Sequence, residues 1–168
     1  MPRLEVFFDP TCPFCYRGHG YLMELSKDFP AVEIALRPVE AHPHAEEPWH
    51  RPRVDLAIQG ALFLRAKGGG EIEYCERVYR AFFVDHMNVE DIDVLVGCAP
   101  GDLASEFAGA LRERAYEKEL MEANEYAYRH NGVWEVPTFV CGAKRLDAVR
   151  GVGVTKAQLR ALFAAVAA

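Results

Sequence analysis

Cys12-Pro13-Phe14-Cys15 places two thiols three positions apart, directly after the apolar run Leu4-Glu5-Val6-Phe7-Phe8. If that run is a strand and the segment after it a helix, Cys12 sits at a helix N-terminus. Unpaired backbone N–H groups and the helix dipole stabilise a thiolate there. A thiolate with a second thiol one turn away can make and break disulfides through a mixed disulfide. The same pair could be half of a structural zinc site. Zinc takes four ligands, usually from two such pairs, and the remaining cysteines, Cys75, Cys98 and Cys141, are scattered. Redox chemistry without a metal is therefore the expectation. His42, His44 and His50 also suggest metal ligation, but Pro43 and a loop-like context favour a solvated or substrate-facing loop.

The elements that would position the pair follow from pattern. Leu4–Phe8 reads as a buried strand and Asp9-Pro10-Thr11 as the turn after it. A helix runs from Pro13 to about Lys27, its early proline costing no hydrogen bond. Val32, Ile34 and Leu36 alternate as in a second strand over 32–39. From Val54 to about Arg129 the period is helical. Leu56, Gln59, Leu62, Phe63 and Ala66 form one stripe, ended by Gly68-Gly69-Gly70, and Ile72, Cys75, Val78, Tyr79, Phe82, Phe83 and His86 form another. Asp91 and Asp102 are candidate N-caps, and one long helix follows through Leu111, Ala115, Leu120 and Ala127. Val136–Val140, a turn at Cys141–Lys144 and a return strand over 145–149 form a hairpin. Thr155 caps a last helix carrying Leu159, Leu162, Phe163 and Val166. The order is strand, helix, strand, helical block, hairpin, helix. That is an α/β layout with a right-handed crossover between the first two strands and a large helical insertion.

The chain has 168 residues, 51% of them hydrophobic, enough for one domain with an insertion. A formal charge of −6, with no Lys/Arg cluster, argues against a nucleic-acid surface. No apolar run approaches a membrane span. Met1-Pro2-Arg3 leads into an apolar segment too short for a signal sequence, so a cytoplasmic location is expected. Five cysteines, an odd number, make a poor structural disulfide framework. In a reducing compartment a CxxC reads as catalytic or metal-binding.

Three segments carry a resemblance. Asp9-Pro10-Thr11-Cys12-Pro13-Phe14-Cys15-Tyr16, Arg80-Ala81-Phe82-Phe83 followed by Asp91-Ile92, and Gly132-Val133-Trp134-Glu135-Val136-Pro137-Thr138-Phe139-Val140 resemble the DsbA-like thioredoxin-fold oxidoreductases, and within them the FrnE-like branch. The resemblance implies a thioredoxin-like domain from 1–40 and 132–168, with 41–131 as the inserted helical domain. It makes Cys12 the exposed nucleophile, Cys15 the buried resolving thiol, and Pro137 a cis proline packed beside them. Val136 would offer main-chain hydrogen bonds to an extended substrate. Phe14, Thr138 and Trp134 are candidate substrate contacts and Pro13 a supporting residue, with core packing the competing role for Trp134. Protein or small-molecule disulfides would be the partners, glutathione a co-substrate, and no other cofactor is implied.

Two positions depart from relatives. Phe14 stands where the better-known periplasmic member has His, so no charge at that position lowers the Cys12 pKa, and a more reducing couple is expected. Val6 stands where thioredoxin-like relatives place a buried acid. His19, four residues after Cys15, is the candidate replacement proton acceptor, against a solvent-facing role. Two other functions fit the same fold. One is a glutathione-dependent isomerase or transferase similar to 2-hydroxychromene-2-carboxylate isomerase, which typically has Ser at the position of Cys12. The other is a non-catalytic peptide-binding or chaperone module.

Overall fold

The computed structural model describes residues 1–41 and 52–168; His42, His44 and His50 lie outside the described residues. Its centre is a four-stranded sheet in the order β2-β1-β3-β4. Strand β1 (Arg3–Phe8) runs parallel to β2 (Glu33–Pro38), with α1 (Pro13–Leu25) as the crossover. It pairs antiparallel with β3 (Thr138–Cys141), which turns into β4 (Lys144–Asp147). Strand β3 begins two residues later than the apolar pattern suggests, because Pro137 has no N–H for the ladder.

Alternation along β1 divides the molecule into two layers. Leu4, Val6 and Phe8 enter the main core with Cys15, Leu22 and Leu25 of α1. Phe7 points the other way, into a smaller cluster with Val39, Ala127 and Val133. Glu5 shares that second face, where Arg37 and the Tyr126 hydroxyl bind its carboxylate.

The helical block comprises α2 (Asp55–Ala66), α3 (Glu71–Phe83), α4 (Ile92–Cys98), α5 (Ala104–Arg112) and α6 (Glu117–Glu125), followed by a π-turn over Tyr126–His130. Helix α2 is buried almost all round rather than along one stripe, with every residue from Ala57 to Leu64 inside. Gly68, Gly69 and Gly70 end it with φ of 104°, 136° and 94°, a backbone that residues with a Cβ resist. Asp91 caps α4, its carboxylate accepting the Asp93 N–H. Asp102 does not cap a helix; it lies within the 3-10 turn Gly101–Leu103 that leads into α5.

The long helix expected through residue 127 is broken between α5 and α6, where Arg114 has φ 51°. Its guanidinium reaches Asp55 at 2.5 Å, a tertiary ion pair that outweighs the local helical pattern. His86 likewise leaves the α3 stripe, since that helix ends at Phe83. Helix α7 (Lys156–Ala167) opens with a capping box between Thr155 and Gln158 and buries Leu159, Leu162, Phe163 and Val166. One hydrophobic cluster runs from Leu4 and Phe139 of the sheet through Tyr79 to Phe107, so the helical block and the sheet share a core.

Candidate active site

The turn after β1 delivers Cys12 to the N-cap position of α1, with Pro13 in the first turn. Its backbone is extended, φ −83° and ψ 122°, and its sulfur accepts the Cys15 N–H at 3.4 Å. The next buried residues of α1 after Cys15 are Gly18, Leu22 and Leu25, a spacing that keeps the second thiol on the core side. Both cysteines are unbonded thiols.

The two sulfurs differ in acidity. A hydrogen bond from the Cys15 thiol is the largest effect on Cys12 and, with the N–H groups of Cys15 and Phe14, lowers its pKa to about 7. Burial and the charge of Asp9 oppose that shift. Burial pushes the Cys15 thiol well above the ordinary range, and its bond to Cys12 adds to this. One thiolate and one thiol therefore share the site near neutrality. The rate of Cys12 alkylation by iodoacetamide is expected to rise with pH through a midpoint near 7. A midpoint near 4 or near 9, followed by mass spectrometry of the labelled peptide, would contradict this charge arrangement.

Cys12 is only 4% exposed, less than an exposed nucleophile would be. The Val136 carbonyl lies 3.9 Å from its sulfur and screens it on one side. The sulfur instead opens into a groove of about 310 Å³, whose walls include Phe14, Tyr128, Trp134, Val136 and Val149. Trp134 is 78% exposed, which places it on the groove lip and not in the core. Glu135 and Arg150, paired at 2.7 Å, tie the two loops that form the far wall.

The Val136–Pro137 peptide bond is cis. A Cβ added at Gly18 would meet Pro137 Cγ at 3.2 Å, so the missing side chain lets α1 lie against this proline. Thr138 is fully buried behind it. Its hydroxyl lies 2.7 Å from the Glu135 carbonyl and 3.1 Å from Asp147 Oδ1, so it braces the loop from behind.

His19 turns toward α3. Its Nε2 is 3.5 Å from a Glu76 carboxylate oxygen and its ring 5.2 Å from that of Tyr79. Burial lowers its pKa, with Glu76 pulling the other way. Among the other cysteines, Cys75 is buried and its thiol is pushed up to about 12 by burial. Cys98 is buried at the end of α4 and Cys141 half-buried at the end of β3. No metal-binding group of three or more His, Cys, Asp or Glu occurs among the described residues.

Two site residues escape the sequence pattern. Tyr128, which falls in the segment of helical period, lies on the π-turn and lines the groove with Cys12. Its hydroxyl donates to the Glu40 carbonyl, and burial pushes its pKa up, aided by the charges of Asp9 and Glu40. Asp9, which reads as a turn residue, is buried against both thiols. Its one sequence signal is position: a carboxylate directly after the apolar run Val6-Phe7-Phe8.

Known proteins resemble this chain over most of its length. The chain is 28% identical to the uncharacterized protein YwbO of Bacillus subtilis, over 90% of this chain and 92% of that one. A solved structure described as a probable DsbA oxidoreductase of Streptomyces coelicolor superposes with a TM-score of 0.80 at 18% identity. That match covers 99% of this chain and 90% of the other. DsbA of Chlamydia trachomatis gives 0.74 at 16% identity, covering 98% and 85%. These structural likenesses establish the fold, and the profile of the DSBA-like thioredoxin domain matches residues 3–160. With the profile spanning nearly the whole sequence, from β1 into α7, the chain belongs to the DSBA-like thioredoxin domain family.

Proposed function

We propose that the Cys12–Cys15 pair catalyses thiol–disulfide exchange on protein or small-molecule disulfides, with no cofactor beyond its own disulfide and with glutathione as a co-substrate. The observation that carries this reading is the asymmetry of the two thiols. Cys12 is the more acidic, at about 7, and borders the groove, whereas Cys15 is buried and held protonated. The Cys12 thiolate attacks one sulfur of a substrate disulfide, and the other sulfur leaves as a thiolate. The Cys15 sulfur then loses its proton and attacks Cys12, which releases the second substrate sulfur. The Val136 main chain supports this role by its place, with its carbonyl 3.9 Å from the Cys12 sulfur, where an extended substrate would pair with it. The motif segments favour the FrnE-like branch, and a cytoplasmic setting accords with a more reducing couple.

Insulin reduction with glutathione as electron donor tests the reading. Turnover well above the glutathione background is expected, together with oxidation of the Cys12–Cys15 pair in oxidised glutathione. A protein that shows neither is not an oxidoreductase of this kind.

A further inference from the structure

We propose that Asp9 is a positioning residue for the thiol pair, its buried carboxylate fixing the segment that carries Cys12 and its charge, paired with no cation among the described residues, opposing charge on the two sulfurs. The inference rests on Cys12–Cys15 being a redox pair.

Asp9 follows β1 and is 3% exposed. Oδ1 accepts from the Thr11 N–H and the Thr11 hydroxyl, each at 2.8 Å, and Oδ2 accepts from the Ala41 N–H at 3.0 Å. Its main-chain carbonyl accepts the Cys12 N–H at 3.1 Å. Its main-chain N–H is directed at the Cys15 sulfur. One residue thus holds the turn before Cys12 and joins it to the end of the β2 segment, where Ala41 borders the groove.

Asp55, the other buried carboxylate among the described residues, is paired with Arg114 at 2.5 Å and Arg53 at 3.3 Å. Asp9 has no such cation among the described residues. Hydrogen-bond donors satisfy its oxygens but leave its net charge in place, and at low dielectric that charge acts on its neighbours. The titratable groups facing it are Cys12 and Cys15 on α1, Tyr79 on α3 and Tyr128 on the π-turn, with Glu40 beside Tyr128. The Asp9 charge makes each of the first four harder to ionise, although at Cys15 its main-chain N–H acts the other way and by more.

The consequence is thermodynamic. Reduced protein carries a Cys12 thiolate and a Cys15 thiol, whereas oxidised protein carries a neutral disulfide, its two electrons having passed to a substrate disulfide. That substrate leaves as two thiols, taking one proton from Cys15 and one from solvent. A fixed negative charge raises the energy of the thiolate but not of the disulfide. Asp9 therefore makes the couple more reducing.

The test is a thiolate absorbance titration at 240 nm, paired with a glutathione redox titration, on whole protein. In Asp9→Asn the Cys12 pKa is expected to fall below the wild-type value. The equilibrium with glutathione should shift toward the dithiol by about threefold, a rise in potential of roughly 14 mV. Asp9→Glu, which keeps the charge, should leave the Cys12 pKa at or above wild type. Thr11→Val, which removes one donor to the carboxylate, should raise it and gives a reading even if Asp9→Asn fails to fold. A Cys12 pKa unmoved or raised in folded Asp9→Asn, or lowered in Thr11→Val, overturns the role of Asp9 and leaves the redox reading standing. Wild-type protein that forms no Cys12–Cys15 disulfide in the glutathione titration overturns both.

Discussion

Cys15→Ala is expected to accumulate a one-to-one mixed disulfide with its substrate, and Cys12→Ala to form no adduct and to reduce insulin no faster than the assay thiol alone. At pH 7 a thiol of pKa about 7 is half ionised, whereas an ordinary cysteine of pKa ~8.5 is roughly 3% ionised. The gain in thiolate is about 15-fold. Lower basicity also weakens the nucleophile, by roughly fivefold for 1.5 units at a Brønsted slope near 0.45, so the net gain is only about threefold. Acidity alone does not make this site a catalyst. Position supplies the rest: Cys12 faces the groove beside Val136, and Cys15 lies behind it, ready to attack once a mixed disulfide has formed. Removing Cys15 keeps the attacking sulfur, slowed by loss of the thiol hydrogen bond that most lowers its pKa, and blocks the second step. Intact mass spectrometry under non-reducing conditions distinguishes the two variants. An adduct on Cys12→Ala, or rapid turnover by Cys15→Ala, would reverse the assigned roles.

Gly60→Ala is expected to lower stability by about 2 kcal/mol, a fall in melting temperature of roughly 4–8 °C for a chain of this size. Two effects compete. Alanine favours a helix interior over glycine by up to ~1 kcal/mol. Against that, the new Cβ would lie 2.4 Å from Tyr74 Oη and 2.7 Å from Phe107 Cζ. Neither ring has room to move. Tyr74 is 1% exposed and donates to the Ala57 carbonyl at 3.0 Å, and Phe107 is fully buried. Relief means giving up that hydrogen bond, shifting α3 and α5 away from α2, or both. Each costs more than the propensity gain. Thermal unfolding followed by circular dichroism decides the matter, and an unchanged or higher midpoint would show that the three helices separate easily.

The parts of the fold legible in the sequence are those set by short-range rules. β1, the turn into α1, the β3–β4 hairpin and the Thr155 cap each depend on residues a few positions apart. The pairing of Cys12-Pro13-Phe14-Cys15 with Val136-Pro137 was legible through resemblance, since nothing local connects residues 124 apart. What was hidden depends on distant partners. Asp9 is buried because Ala41, 32 positions away, donates to its carboxylate. Arg114 breaks a helix for the sake of Asp55, 59 positions away. Tyr128 enters the groove because the chain widens into a π-turn after α6, which a 3.6-residue period does not reveal. Nothing next to Gly60 in the sequence marks it, and the crossing of α2 by Tyr74 and Phe107 explains it.

The pairing of β1 bears on the order in which this protein is made. Its parallel partner lies 30 positions away, Arg3 opposite Glu33, but its antiparallel partner lies 135 positions away, Glu5 opposite Val140. Closing the longer loop costs about 1.3 kcal/mol more in chain entropy, and that contact cannot form until most of the chain has been synthesised. β1, α1 and β2 are therefore all present in the emerging polypeptide, with the CxxC between them, while the groove wall is still to come. For that interval Cys12 is a helix-terminal thiol without the Val136 screen, open to any oxidant or passing disulfide. The fold thus gives the nascent chain reactivity first and selectivity last.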